Sequence, residues 1–531
     1  MPTDKTPLKP FAWAPALPTG AHRRRFLGLA ASTALLPVSL PILAQPGSAR
    51  TLKVVAPWEV MNLDPAQTGH IFLRLEVAET LVEVDDQGQL APGLAQSWTH
   101  SDNGLQWRFT LRPGARFHDG SAVTAQGVAH CLQRAMEQPG VLRNTGIEKI
   151  QAQDPEVVFT LTRPFAALPA FLAHSSAQVL APASFASDGS VKSLIGSGPY
   201  HVVQVNAPQS MRVRRFDGYD GKKPVIEAIE YLAAGRGETR GMLASSGQAD
   251  LVFTHDPVSY ARLRQNRKLR FETRPLPRTI YIKVNAGHRF LSDVRVRQAM
   301  SLAIDRPGIA GAILRVPEAA ATQLFPPIMA EWHVAGLKAL AHNGDQAKRL
   351  LSEAGWQPGA DGLLRKGNEV FKVTLRTFSD RPELPPIATA IQAQLKAVGI
   401  DMAVAVGNAS EIPSGHQDGS LELALLARNY GLVPDPIGSL LQDFGPRGGD
   451  WGAMAWQSTQ VSETLAQMSA MVDPRRRSAL RGSAATVLQA ELPVIPVAWY
   501  QHSVTASTRL RNVSVDPLER SYRISRMAWD A

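Results

Sequence analysis

The sequence predicts an α/β fold in which mixed sheets are covered by helices. In the second half of the chain, residues 370–375 and 400–406 have the apolar pattern of strands, and residues 387–398 have apolar side chains at helical spacing. Strands that alternate with helices form sheets covered by those helices. A chain of 531 residues with 44% apolar side chains can bury a large core, and this length indicates more than one domain.

The clearest strand and helix of the first half begin at Trp107. Trp107, Phe109 and Leu111 alternate with polar residues, which is typical of a strand with one buried face. Pro113 ends this strand, and Thr124 is a candidate N-cap for the helix that follows. The apolar face of the helix consists of Val128, Cys131, Leu132 and Ala135. Cys131 is the only cysteine of the chain, so no intramolecular disulfide can form, and its place on this face predicts a buried side chain.

A second strand and helix follow in the middle of the chain. Every second residue from Ile280 to Val284 is apolar, and Asp293 begins a helix with an apolar face. Further along, Asp345 is predicted to cap another helix. Residues 492–500 carry two prolines, which predicts an edge or crossing strand rather than a central one.

Three stretches of the chain resemble one known family. They are SWTHSDNGLQWRFTLRPGARFHDGSAVTA (97–125), GSGPY (196–200) and VNAGHRFLSDVRVRQAMSLAIDR (284–306). Together they resemble the signatures of the extracytoplasmic solute-binding proteins of family 5, which serve ABC importers of peptides, nickel chelates and related solutes.

The resemblance implies a two-lobed periplasmic-binding-protein fold with an extra subdomain in the first lobe. Lobe one is expected to comprise residues 50–280 together with 500–531, and its subdomain residues from about 85 to 190. Lobe two is expected at residues 285–495. Two crossings between the lobes would form a hinge, and the solute would bind between the lobes.

Residues 1–44 are predicted to be a twin-arginine-type signal peptide. The order Arg23-Arg24-Arg25-Phe26-Leu27 precedes a mildly apolar, Ala- and Leu-rich run, as in that class of export signal. Two prolines and the short length of the run argue against a membrane-spanning helix. Cleavage is expected after Ala44 or after Ala49, and the mature protein is expected in the periplasm.

Composition excludes several other functions. The chain carries 56 Lys and Arg against 46 Asp and Glu, and this small excess is spread along it, so nucleic-acid binding is not expected. No nucleophile elbow, phosphate-binding loop or zinc-protease motif occurs, and the 13 histidines are scattered. The sequence therefore predicts a binding protein that is not an enzyme, with no cofactor and no metal site of its own, acting as a monomer.

The best candidate segment for solute binding is residues 428–436. It follows an apolar run that predicts a buried strand, and α/β sheets place ligand contacts at the carboxyl ends of their strands. Arg428, Asn429 and Tyr430 are the candidate contacts, and the resemblance implies that Tyr430 stacks on or caps the solute.

Specific anchors of known family members are missing. Leu432 stands where peptide binders usually carry an Asp that pairs with the peptide amino group. Nickel-chelate binders have a histidine with no match among residues 444–456, and their carboxylate-binding arginine aligns near Gln178. The sequence thus leaves open whether a peptide or a metal chelate is recognised.

Other candidate contacts lie in loops and at the start of the mature chain. Trp58, Met61 and His70 belong to the opening loop, and Trp451 belongs to the glycine-rich loop 445–452, which is expected to be mobile. The sequence as a whole predicts the periplasmic substrate-binding component of an ABC importer, which captures a peptide-like or small chelate solute and delivers it to a permease and ATPase complex. The alternatives are a periplasmic hydrolase and a chemoreceptor-associated binding protein.

Overall fold

The structure is a computed structural model that describes residues 50–530, apart from 139, 447 and 472–473. The predicted signal peptide, with both candidate cleavage points, lies outside the described residues. The described residues fall within a single compact unit.

Strands and helices alternate along much of the described chain. The strands are β1 (Thr51–Ala56), β2 (Val82–Val84), β3 (Leu90–Pro92), β4 (Ala95–His100), β5 (Gln106–Leu111), β6 (Ile147–Gln153), β7 (Glu156–Leu161), β8 (Tyr200–Asn206), β9 (Ser210–Arg215), β10 (Ala228–Ala233), β11 (Leu251–Phe253), β12 (Leu269–Val284), β13 (Gln357–Pro358), β14 (Leu364–Lys366), β15 (Glu369–Val370), β16 (Lys372–Phe378), β17 (Asp401–Gly407), β18 (Leu423–Asn429), β19 (Val494–Ser507), β20 (Leu510–Arg511) and β21 (Ala528–Trp529). The α-helices are α1 (Pro65–Arg74), α2 (Ala125–Glu137), α3 (Leu168–Phe171), α4 (Gly237–Ser245), α5 (Pro257–Leu263), α6 (Val294–Ala303), α7 (Arg306–Ile309), α8 (Gly344–Glu353), α9 (Leu384–Ala397), α10 (Glu411–Gln417), α11 (Ile437–Phe444), α12 (Thr459–Ala470) and α13 (Pro474–Glu491).

Ten of the strands form one mixed sheet in the order β17-β16-β18-β12-β19-β11-β1-β10-β9-β8. β12 and β19 are its longest strands, and they pair antiparallel along nearly their whole length. β18 pairs with the second half of β12, and β11 pairs with the second half of β19. β12 and β19 therefore join a group of strands at each of their ends, as the crossing strands of a two-lobed fold do.

The parallel strands of both groups end at the middle of the crossing strands. β11 begins opposite Ala506 of β19 and runs towards the middle of that strand, and β1 and β10 run parallel to it. β18 begins opposite Val284 of β12 and ends opposite Arg278, and β16 and β17 run parallel to it. The carboxyl ends of both parallel groups thus face the same line between the lobes, where α/β sheets present ligand contacts.

The half of β19 that carries Pro496 has an open outer side, in agreement with the prediction of an edge or crossing strand. Pairing with β11 covers only residues 504–506 of β19. In the other half, β12 lies on one side, and on the other only an isolated bridge from Ala320 to Ala498 is described. Pro496 can occupy this half because a proline at an edge interrupts no ladder on its outer side.

A four-stranded antiparallel sheet, in the order β4-β5-β7-β6, forms the core of the predicted subdomain and packs against α2. The predictions for this region are confirmed: β5 has alternating burial, and the Gly127 amide donates to the Thr124 hydroxyl at 3.2 Å to cap α2. Cys131 is buried, and burial raises the pKa of its thiol to about 11.

One predicted cap is wrong. α8 is capped by Asn343, whose side-chain oxygen accepts from the Gln346 amide at 3.0 Å, and Asp345 lies in the first turn. The prediction fails because Asn and Asp both suit the N-cap, and Gly344 between them can belong to the helix. No helix in the described parts of the chain combines the length and apolar character needed to cross a bilayer.

Candidate functional site

The candidate site lies where loops from both parallel groups meet the crossing strands. A C-terminal segment, residues 516–526, contacts the end of α1, where the Tyr522 amide donates to the Arg74 carbonyl oxygen at 3.0 Å. From the second lobe, Tyr430 reaches the crossing strand, since its amide donates to the Pro277 carbonyl oxygen at 2.7 Å. The first lobe, the C-terminal segment and the second lobe are thus joined at the middle of β12.

Arg74 ends α1 inside the protein. Its guanidinium lies over the Trp58 ring at 3.8 Å, and its Nε donates to the Glu519 carbonyl oxygen at 3.2 Å. The side chain is buried, with 6% of the residue exposed. Trp58 is held on its other side because its carbonyl oxygen accepts from the Tyr231 hydroxyl at 2.5 Å.

Arg278 stands beside it on β12. Its Nη2 donates to Glu519 Oε2 at 2.5 Å, and its guanidinium lies 4.7 Å from the centre of the Tyr500 ring. Arg381, from the loop after β16, lies 5.2 Å from the same ring and donates to the Tyr500 hydroxyl at 3.1 Å. We call Arg74, Arg278 and Arg381, around Glu519 and Tyr500, the arginine cluster.

The charges of this cluster act on one another. Burial alone would raise the pKa of Glu519, but the positive charges around it, led by Arg278, hold that pKa well below its usual range. Burial lowers the pKa of His502 to about 4. Burial, together with the charge of Arg74, lowers the pKa of His70 to about 3. At neutral pH Glu519 is therefore ionised and both histidines are neutral. The guanidinium groups around them keep their positive charge, as arginines do in proteins.

The structure places four of the seven predicted contacts at or beside this cluster. Asn429 stands opposite Arg278 in the strand register, and its side-chain oxygen accepts from the Gly431 amide at 2.8 Å. Tyr430 is fully buried, with its ring 5.5 Å from that of Phe325. Trp58 carries Arg74, and His70 interacts electrostatically with both Arg74 and Glu519.

Arg428 and Trp451 lie deeper in the second lobe. Arg428 binds Asp443 through two hydrogen bonds of 2.7 and 2.9 Å. Trp451 is held through its carbonyl oxygen, which accepts from the Tyr281 hydroxyl at 2.7 Å. Lys283, also on β12, donates to the Gly449 carbonyl oxygen at 2.6 Å. Residues 449–451 of the glycine-rich loop are thus hydrogen-bonded to side chains of a crossing strand.

Burial lowers the pKa of Lys283 to about 7. Its Nζ also lies 3.0 Å from His416 Nδ1 and donates to the Asp450 carbonyl oxygen at 3.0 Å. Met61, the seventh predicted contact, is 61% exposed, and no contact of its side chain with the cluster is described.

A cavity of about 690 Å³ begins about two turns of α1 away from Arg74, and its lining does not include the residues of the arginine cluster. It is lined by Ala66, Gly140, Val141, Arg143, His174, Ser176 and Gln442. Gln442 belongs to α11 of the second lobe and the other lining residues to the first, so the cavity lies between the lobes. His70 stands between the two on α1, because Ala66 of the cavity, His70 and Arg74 follow one another at four-residue spacing and so share one face of the helix. The volume is typical of sites for small solutes.

The lobes also touch directly around this cavity. The Ala166 amide donates to the Ser469 carbonyl oxygen at 2.8 Å. Phe171, which packs edge-on against Phe165 at 4.9 Å, lies against Gly438 of α11: a Cβ at Gly438 would be 2.7 Å from the Phe171 ring. The arrangement is therefore a closed one, with side chains of one lobe packed on the backbone of the other.

The sequence patterns did not identify three residues of the cluster, Arg74, Arg278 and Glu519, as candidates for the site. The available signal was a charged residue set within an apolar pattern, as Arg74 is in the run Ile71–Val77. Arg278 and Glu519 are 241 positions apart, so no local spacing reveals their pairing. Within the described residues, no group of three or more His, Cys, Asp or Glu side chains is arranged to hold a metal ion.

Comparisons with known proteins agree on one family. Residues 89–451 match the bacterial extracellular solute-binding proteins, family 5 middle region. The nickel-binding periplasmic protein of Escherichia coli K12 is 24% identical over 489 residues, covering 87% of this chain and 93% of that protein. The glutathione-binding protein GsiB of the same strain is 26% identical over 437 residues, covering 78% of this chain and 82% of that protein.

Solved structures share the fold. NikA from Staphylococcus aureus in complex with Ni(L-His)2 has a TM-score of 0.77 at 21% identity, covering 90% of this chain and 99% of that one. DppA from Helicobacter pylori in complex with the peptide STSA has a TM-score of 0.76 at 21% identity, covering 91% and 98%.

Proposed function

The chain belongs to the family 5 bacterial extracellular solute-binding proteins, and we propose that it captures a peptide-like or small chelate solute between its lobes at the arginine cluster. It is a periplasmic substrate-binding protein of an ABC importer and not an enzyme. The observation that supports the site proposal is the meeting of both parallel groups of strands at the crossing strands, in a fold that also has a cavity of about 690 Å³ between the lobes.

The mechanism rests on linkage between binding and closure. A solute that contacts both lobes binds the closed form better than the open one and shifts the population towards it. The membrane permease then recognises the closed form. Micromolar affinity requires about −8 kcal/mol, which a few hydrogen bonds and aromatic contacts can supply.

The proposed contacts divide into two groups. A direct contact with the solute is proposed for the residues that lie at or beside the arginine cluster, which are Tyr430, Asn429, Trp58 and His70. Arg428 and Trp451 are proposed to act by shaping the second lobe, because Asp443 and Tyr281 already engage them. Met61 has the weakest support, since it is exposed.

We also propose export by the twin-arginine route and action as a monomer. The proposal on export is supported by Arg23-Arg24-Arg25-Phe26-Leu27. Replacing Arg23 and Arg24 by Lys is expected to retain the unprocessed protein in the cytoplasm, as measured by cell fractionation. Processing that continues unchanged would contradict this route.

The function is tested by asking what the protein retains. The mature chain is incubated with a tryptic digest of casein, and separately with nickel and histidine, and unbound solute is removed by gel filtration. Mass spectrometry of the denatured protein identifies the retained solute, and small-angle scattering compares the loaded and unloaded forms. We expect a retained solute and a decrease in the radius of gyration, and retention of nothing from either mixture would contradict the proposal.

A further inference from the structure

Two buried arginines of the cluster have hydrogen-bonding capacity that the described protein does not use. Arg278 is 3% exposed, and within the described structure its Nε and Nη1 have no hydrogen-bond partner. Arg74 is 6% exposed, and its Nη1 is likewise without a partner among the described atoms. A guanidinium carries five N–H donors and no acceptor, so each of these nitrogens requires an oxygen from elsewhere.

Two other buried arginines of the described chain use all three of their side-chain nitrogens. Arg306 is 1% exposed and bonds through all three nitrogens to the Pro496 carbonyl and to Ser301. Arg240 is fully buried and donates to the carbonyl oxygens of Thr254, Ala234 and Gly235. Buried polar groups are generally paired, because leaving one unpaired is costly. Arg481 and Arg520 are also buried and also have open nitrogens. What distinguishes Arg74 and Arg278 is their place, because Arg278 lies on a crossing strand and Arg74 packs with it around Glu519.

The charges point in the same direction. Three arginines meet there, and the carboxylates that act on Arg381 are Glu519 and Glu383. Glu519 accepts a hydrogen bond from Arg278 through one oxygen, and the backbone of Glu519, not its carboxylate, binds Arg74. When Glu383 is counted with the cluster, three arginines face two carboxylates, which leaves one more positive charge than negative charge.

We infer that the solute is an anion and that Arg278 and Arg74 bind its carboxylate at the crossing strands. The inference rests on the solute-binding function proposed above and names the chemical class of the solute. A carboxylate supplies two oxygens with free lone pairs, which meets the need of the open nitrogens and neutralises the excess charge. Arg74 belongs to the first lobe, Arg278 to a crossing strand and Arg381 to the second lobe, so one anion placed among them would favour closure.

The test uses succinate, citrate, glutathione and inorganic phosphate as probes, with succinamide as the neutral counterpart of succinate. Calorimetry at pH 7 measures their binding to the mature wild-type protein. We expect at least one of the three carboxylates to bind, and succinamide to bind at least tenfold more weakly than succinate. Binding of phosphate alone, or equal binding of succinate and succinamide, would overturn the inference.

The variant Arg278→Gln with Glu519→Gln removes both charges of the buried pair, so that neither is left uncompensated. We expect it to bind the carboxylate at least tenfold more weakly than the wild type. Arg112→Gln with Glu79→Gln removes another ion pair of the first lobe, of 3.0 Å, away from the crossing strands, and should leave the affinity unchanged. Unchanged affinity in the first variant would overturn the inference.

Where the double variant fails to fold, Arg278→Lys gives the same information. It keeps a cation beside Glu519 and removes the planar fork of donors, so it should also weaken the carboxylate probe at least tenfold. Failure of the function and failure of the inference are distinguishable. If the protein retains a neutral or cationic solute from the digest and binds none of the carboxylates, the proposed function stands and the inference that the solute is an anion is wrong. A protein that retains no solute and binds no probe contradicts both.

Discussion

At the scale of single residues, burial decides what each aromatic side chain of the site can do. Tyr430 is fully buried beside Phe325 and lies close to the Tyr281 hydroxyl, so it supports the second lobe as well as facing the crossing strand. Trp58 is half-buried under Arg74 and has less packing to lose. The sequence predicted both as aromatic residues in loops. Their difference in burial comes from neighbours that are distant in the sequence, so it could not be predicted.

Tyr430→Ala is therefore expected to lower the free energy of unfolding by about 3 kcal/mol or more, because it removes a buried ring. Tyr430→Phe keeps the ring and should change stability by less than about 1 kcal/mol. If the hydroxyl binds the solute, Tyr430→Phe weakens binding about three- to tenfold. Denaturant unfolding and calorimetry with the retained solute measure both effects. An unchanged dissociation constant for Tyr430→Phe would remove the hydroxyl from the site.

The arginine cluster marks the limit of sequence reasoning at this scale. The aromatic and polar residues of the segment 428–436 follow a recognisable strand, so their place at a carboxyl end could be predicted. The partnership of Arg278 with Glu519 arises only when the chain returns 241 residues later. Which oxygen satisfies which buried guanidinium depends on tertiary packing and leaves no local pattern.

At the scale of secondary-structure elements, the closed form depends on how tightly α11 approaches the first lobe. Gly438 of α11 permits that approach, because any Cβ there would meet the Phe171 ring at 2.7 Å. Phe171 is itself packed against Phe165 and has little freedom to move. Most of the strands and helices predicted from the sequence are confirmed, because apolar periodicity and proline determine secondary structure within a few residues. The contact of α11 with Phe171 joins residues of different lobes, so no local pattern in the sequence predicts it.

Gly438→Ala is expected to favour the open form. The added methyl group must push α11 from Phe171, so solute affinity should fall at least tenfold while each lobe keeps its own core. Gly482→Ala in α13 is the matched control, because no atom lies within 4 Å of the added Cβ, and it should leave affinity unchanged. Scattering and calorimetry on both variants measure the effect. Equal affinity of Gly438→Ala and wild type would show that this contact does not control closure.

At the scale of the whole molecule, several histidines are held neutral by burial. Burial lowers the pKa of His255 to about 3 and of His502 to about 4, and His118 and His174 are lowered to about 4. In the unfolded chain these groups return to about 6.5. Between these values the unfolded state binds more protons than the folded one, so the stability falls as the pH falls from 6.5 towards 4.

We expect the melting temperature to decrease on acidification from pH 6.5 to 5, with unfolding taking up about two protons or more. Calorimetry at several pH values gives that number from the slope. His255→Gln should reduce the uptake by about one proton, because it removes one buried imidazole. A melting temperature that is constant over this range would contradict the burial of neutral histidines.

The overall architecture was the most predictable property, since the family resemblance implied two lobes and the fold confirms them. The boundaries at 50–280 with 500–531, at 285–495 and at about 85–190 for the subdomain stay predictions. β12 and β19 each run from one lobe into the other as a continuous strand, so no single residue in them separates the lobes.

The position of β19 also governs the order in which the protein can fold. β19 lies between β12 and β11 near the centre of the sheet, yet it is made from residues 494–507 of a chain of 531. During synthesis, the strands of the two lobes therefore cannot be joined in one sheet until β19, the last of the ten strands in the sequence, has been made. A nascent chain that stops before Val494 has two incomplete half-sheets with exposed edges, which are open to pairing with other chains. Assembly of the two lobes into one sheet is thus a single event that follows the synthesis of β19.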